Sequence, residues 1–162
     1  MKLEIKDSQN YAATIIQVPK PHKLLNSDRL YGITVFGMTA VVNEAWQDKE
    51  GDLAVFFPAE CQISDAFASY ANLYRHSEKN LDPGEVGYLE DSRRVRALKL
   101  RGNVSNGLIL PVYILEMFVG EAKCFAEGDT FDTIDGVEIC RKYRVKEAPV
   151  KTPREGGKLV KA

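Results

Sequence analysis

A chain of 162 residues has the length of one domain, with enough of it to bury a core. It is 44% hydrophobic and 28% charged with a formal net charge of −1, which excludes a generally basic surface and a disordered polyelectrolyte. No apolar run reaches the roughly 18 residues of a membrane-spanning helix, and Met1–Asp7 lacks the apolar centre of a signal peptide, so a cytoplasmic protein without a membrane partner is expected.

In chain order, the first half reads as short strands separated by turns. Ala12–Val18 is rich in β-formers and is stopped by Pro19 and Pro21. Leu30–Phe36 follows, with Tyr31, Ile33 and Val35 on one face. Gly37-Met38 is the expected turn into Thr39–Val42, a hairpin partner. Leu53–Phe57, opened by Gly51-Asp52 and closed by Pro58, is a fourth strand. Turn signals at this spacing predict a small antiparallel barrel. From Ile63 to Tyr74 the period changes: Ser64-Asp65 offers an N-cap, and Phe67, Tyr70, Ala71 and Tyr74 recur at helical spacing. Residues 77–92 read as a polar loop.

The next segment carries the chemistry. Arg93, Arg94, Arg96, Lys99 and Arg101 place five cations within nine positions, on a stretch that alternates like a strand. Cations spaced along a strand suit a polyanion such as a nucleic-acid backbone. Period two puts Lys99 and Arg101 on one face and Leu98 and Leu100 toward the core, with Arg94 and Arg96 on the leucine face. The plainer reading is a charged edge strand that discourages edge-to-edge pairing. Gly102–Gly107 then reads as a turn, for which Asn106-Gly107 is the preferred hairpin pair. The alternative is a binding loop in which Ser105 and Asn106 donate to phosphate or 2′-hydroxyl oxygens. Leu108–Pro111 is a short apolar strand, and Val112–Val119 fits a helix or a strand equally.

Little else points to chemistry. Cys61, Cys124 and Cys140 are odd in number and far apart, which supports neither a disulfide framework nor a zinc site. His22 and His76 lack partners at metal-ligand spacing. Glu44/Asp48 and Glu90/Asp91 have no companion base or nucleophile, and no phosphate-binding glycine motif is present. Asp28 is expected to shape its loop through an Asx-turn, with Lys20, Lys23 and Arg29 as secondary contacts. Tyr31, Phe36, Trp46, Tyr70, Tyr74 and Tyr88 are candidates either for stacking on bases or for the core. Residues 141–162 hold eight Lys/Arg against two Asp/Glu, a local charge of +6, whereas the preceding 140 residues sum to −7. The division expected is therefore 1–145 as a folded domain and 146–162 as a basic linker or flexible tail.

Two blocks together carry a family resemblance. The first is Val18-Pro19-Lys20-Pro21-His22 with Leu24-Leu25-Asn26-Ser27-Asp28-Arg29-Leu30 and Gly51–Pro58. The second is Arg94–Gly102 with Ser105-Asn106-Gly107-Leu108-Ile109-Leu110-Pro111. In this order they resemble the N-terminal OB-fold domain of RNA ligases in which such a domain precedes the adenylyltransferase domain. The first block alone also resembles OB-type tRNA-binding domains. The resemblance implies a mainly β chain, an OB-like five-stranded barrel with one or two short helices. It also implies an accessory module that binds RNA or a nicked duplex and positions ends for a catalytic domain in cis or in trans. The candidate contacts are Arg94, Arg96, Lys99, Arg101, Ser105 and Asn106.

The ligase family's nucleotidyl-accepting lysine precedes an Asp-Gly pair by two residues. Here Thr133 stands two residues before Asp135-Gly136, so no phosphoramidate with AMP can form there. This chain alone is not expected to be catalytic. ATP and a divalent metal are expected only with a separate ligase domain. Two other readings stay open: a freestanding OB protein that binds tRNA or another structured RNA, and a protein–protein adaptor.

Overall fold

A computed structural model of the protein describes residues 1–145; the expected basic tail, 146–162, lies outside the described residues. The chain is mainly β. Its strands are β1 (Leu3–Glu4), β2 (Ala13–Gln17), β3 (His22–Lys23), β4 (Leu30–Val35), β5 (Met38–Asn43), β6 (Leu53–Pro58) and β7 (Cys61–Ile63). After helix α1 (Asp65–Tyr70) come β8 (Leu98–Leu100), β9 (Asn103–Ser105) and β10 (Gly107–Pro111). Helix α2 (Val112–Val119) precedes β11 (Thr130–Phe131), β12 (Thr133–Ile134), β13 (Val137–Glu138) and β14 (Cys140–Lys142). Among the described residues no helix is long and apolar enough to cross a membrane.

β6 is central. It pairs antiparallel with β2 on one side and β10 on the other, in the order β10-β6-β2-β11. A second sheet has the order β3-β4-β5. The two sheets meet where the Asn106 N–H donates to the Thr39 carbonyl at 2.8 Å. The ladders are separate sheets, not one continuous ring.

Alternation along β2 and β6 explains why there are two cores. Ile16, Ala54 and Phe56 face Ile33, Ala40, Val42 and Ile109, the space between the two sheets. Ile15, Val55 and Phe57 face the other way, onto Phe67, Leu115, Phe131 and Ile139. A strand buried on both faces loses its polar alternation, which is why Leu53–Phe57 reads as an unbroken apolar run. The elements packed on that second face, α1, α2 and the strands from β11 to β14, are therefore a second packed layer.

Two local expectations are corrected. The β4–β5 turn is Phe36-Gly37, both at positive φ (53° and 74°), so Met38 already belongs to β5 opposite Val35. α1 is shorter than the 63–74 spacing implies. The Ser64 hydroxyl caps it by accepting from the Phe67 N–H at 3.2 Å, and Asn72 at φ 57° ends its continuation. The 112–119 segment is a helix, closed by Gly120 in the left-handed region at φ 81°. The 77–92 segment is irregular apart from one short turn of helix at Ser77–Lys79. It is organised by buried Asn80, which bonds the Tyr74 backbone on both sides and the Glu85 carbonyl.

Candidate nucleic-acid interface

The basic segment does not form one row of cations. Arg93 is turned inward, its Nε donating to the Ile63 carbonyl at 2.9 Å. Arg94 makes a forked pair with Glu60, Nε to Oε1 and Nη2 to Oε2 both at 3.0 Å. Its guanidinium also lies 4.9 Å from the centre of the Tyr143 ring. Glu60 holds Arg94 protonated above its already high ordinary value. An arginine so committed is joining β7 to the end of the domain.

Arg96, Lys99 and Arg101 differ. All three are exposed, and none forms an ion pair among the described residues. β8 and β9 make a two-stranded hairpin in which Leu98 pairs with Ser105 and Leu100 with Asn103. Its tight turn is Arg101-Gly102, with φ of 48° and 82°, the conformation of a type I′ hairpin turn. Asn and Gly are the residues that enter this conformation readily, so an arginine at its first position is held there against its preference.

The expected turn at Asn106-Gly107 is thus corrected. Gly107 opens β10, and a Cβ there would lie 2.7 Å from the Phe56 ring. This glycine serves close packing, not a turn. Ser105 is buried; its hydroxyl accepts from the Val41 N–H at 3.0 Å and donates to the Gly107 carbonyl at 3.4 Å. That hydroxyl seats the hairpin on β5 and is not presented outward. The Asn106 backbone likewise joins Thr39 and Ala59.

Leu98 and Leu100 do not reach the core either. With Tyr88, Arg96, Val41, Val42 and Leu108 they line an open groove of about 230 Å³. Arg96 shares this face with the two leucines, as period two requires. Tyr88 as a residue is 38% exposed, while burial of its phenol group, with the Cys61 thiol as a lesser cause, raises that phenol above its ordinary value. Of the other aromatic candidates, Tyr74 is buried, Tyr70 packs edge-on to Phe118, and the Tyr31 hydroxyl accepts from Gln47 at 2.6 Å.

At its tip the hairpin meets the loop before β4. The Asn103 side-chain amide donates to the Leu25 carbonyl at 2.9 Å. Ser27, not Asp28, shapes that loop: its Oγ accepts from the N–H groups of Arg29 and Leu30 at 3.2 and 3.1 Å. Ser27, Asp28, Arg29, Leu30 and Arg101 line a cleft of about 310 Å³. The fold therefore brings together Arg29 and Arg101, which lie on the two blocks of the sequence reading. Asp28 is fully exposed and sits 3.9 Å from the Lys23 ammonium.

Asp135-Gly136 is the turn between β12 and β13, with φ of 49° and 81°, and Thr133 is buried with its hydroxyl on Asp132. Among the described residues no group of three or more His, Cys, Asp or Glu is placed to hold a metal.

A family model described as an OB-fold domain matches residues 12–112, from the start of β2 into α2. No curated protein sequence matches. The solved structure of the Naegleria gruberi RNA ligase with pyrophosphate is similar over 85% of this chain and 36% of that one, at 25% identity and a TM-score of 0.56. A ligand-free variant of that ligase is similar over 83% and 35%, again at 25% identity and 0.56. A variant with ATP and manganese gives 22% identity and 0.56 over 85% and 36%. The chain thus spans about a third of the length of the ligase structures that it matches. With the match running through both main sheets and the basic hairpin, this chain belongs to the OB-fold domain family, as an OB domain related to RNA ligases.

Proposed function

We propose that this chain is an RNA-binding accessory module that positions strand ends or nicks for a catalytic domain outside it. The observation that carries this reading is the hairpin: Arg96, Lys99 and Arg101 are exposed and unpaired among the described residues, beside an open groove. A chain with net charge −1 attracts a polyanion only where its cations are local and uncompensated. β2, β6 and β10 with β3, β4 and β5 act as the two halves of a small OB barrel. The hairpin and the 24–29 loop stand side by side on its rim.

Lys99 and Arg101 take phosphates. Arg96 assists from the groove face, and the Asn106 side chain is a further donor. Arg94 contributes by fixing the frame. ATP and a divalent metal act on the separate adenylyltransferase domain, since Thr133 leaves this chain without the lysine nucleophile.

One feature favours a second reading, a protein adaptor. Tyr113 and Met117 are exposed on α2, next to a cleft of about 360 Å³ that includes Trp46 and Phe125. Fluorescence anisotropy with a labelled RNA separates the two readings. Lys99→Ala with Arg101→Ala should weaken binding about ten-fold at 0.15 M salt with the melting temperature unchanged. If the folded double variant binds RNA like the parent, the assignment to the hairpin fails.

A further inference from the structure

The groove and the cleft share the hairpin, and they differ in chemistry. Leu100 lines the groove and Arg101 lines the cleft, so consecutive residues, about 3.8 Å from Cα to Cα, contribute to both. The groove is walled by Tyr88, Leu98, Leu100 and Leu108, no carboxylate lines it, and Arg96 is its one charge. The cleft is polar. Arg29, Arg101 and Asp28 line it, and Ser27 orders its backbone.

A paired duplex presents only sugars and phosphates along its backbone, so it has nothing to place in an apolar groove. An unpaired nucleotide has both a flat apolar face and a phosphate. We infer that the site takes one unpaired nucleotide, its base in the Tyr88–Leu98–Leu100 groove and its phosphate between Arg29 and Arg101. Arg96, at the groove, is placed to stack on the base or to bond its edge. Two cations against Asp28, which Lys23 already partners, leave the cleft net positive. The inference rests on the nucleic-acid reading above and narrows it to strands with a free or splayed base, such as an end or an overhang.

The test compares three labelled RNAs: a single strand, a blunt duplex, and the single strand with one abasic position scanned along it. The single strand should bind about ten-fold tighter than the blunt duplex, and one abasic position should cost about five-fold or more. Leu100→Ser, at an exposed hairpin position, should cost a similar factor on the intact strand. It should cost nothing further on the abasic strand, nor on the blunt duplex. The abasic comparison needs no variant, so it stands even if Leu100→Ser unfolds.

Equal affinity for blunt duplex and single strand, or indifference to every abasic position, overturns the inference. The RNA-binding reading then survives if the Lys99 and Arg101 substitutions still weaken binding. Competition by poly-glutamate as effective as that by RNA would overturn both, in favour of an acidic protein partner.

Discussion

Arg94 and Arg101 stand seven positions apart in one basic segment, yet they occupy opposite kinds of surface. At the seam of β7 and β14 three arginines are paired. Arg94 forks onto Glu60, Arg141 onto Glu138, and Arg144 onto Asp7 at 2.8 Å, while the Asp7 carboxylate also accepts from the Lys142 N–H at 2.8 Å. On the hairpin, Arg96, Lys99 and Arg101 find no carboxylate among the described residues. The same residue type therefore closes the domain at one place and is left open to solvent at another. On the proposed reading, the unpaired cations of the hairpin are where an external anion is accommodated.

The comparison breaks most severely if the groove wall is moved from within. A Cβ on Gly87 would lie 2.2 Å from the Leu73 backbone, which cannot yield as a side-chain tip would. Gly87→Ala should cost about 3 kcal/mol, read by urea denaturation. It should also displace Tyr88 and weaken RNA binding in the fraction that stays folded. A smaller effect is expected at the turn. Gly102→Ala places a Cβ at φ 82° and should cost about 1 kcal/mol, with looser RNA binding because the presentation of Arg101 changes.

Arg94→Ala tests the paired side. Both Arg94 and Glu60 are partly exposed, so the loss is kept to about 1 kcal/mol. RNA affinity should hold within two-fold. A ten-fold loss of affinity at unchanged stability would erase the distinction between the two regions.

The smallest effect is a pH dependence. The Arg144 guanidinium beside Asp7, with the Lys142 N–H, holds that carboxyl below its usual value. A depressed native pKa means stability that is fully present above the unfolded value of about 4 and lost as pH falls through the native one. Melting temperature followed from pH 6 to pH 2 should fall less steeply for Asp7→Asn than for the parent. Identical slopes would show that the clasp contributes nothing.

Much of this was legible in the sequence, and the failures have physical causes. β2, β4, β5 and β6 follow from β-branched runs bounded by Pro and Gly, and the segment rich in cations is visible on inspection. The turn was not, because Asn106-Gly107 carries the stronger local signal. The structure spends that glycine on contact with Phe56 and turns at Arg101-Gly102 instead. The partner of Arg94 lies 34 residues away, beyond the reach of any spacing argument. The sequence points Leu98 and Leu100 toward a core because alternation reveals two faces without saying what covers each one. Here the leucine face is an open groove. The second core was hidden for a related reason: an apolar run such as Leu53–Phe57 is compatible with burial on both sides, but only the tertiary structure supplies the second layer.

The dependence of RNA affinity on salt tests the central claim most directly. Three uncompensated cations on and beside the hairpin predict a slope of about −2 in log K against log salt, falling to about −0.7 in the Lys99→Ala/Arg101→Ala variant. A flat parent slope, or a steep one left unaltered by removing those two charges, would contradict the account.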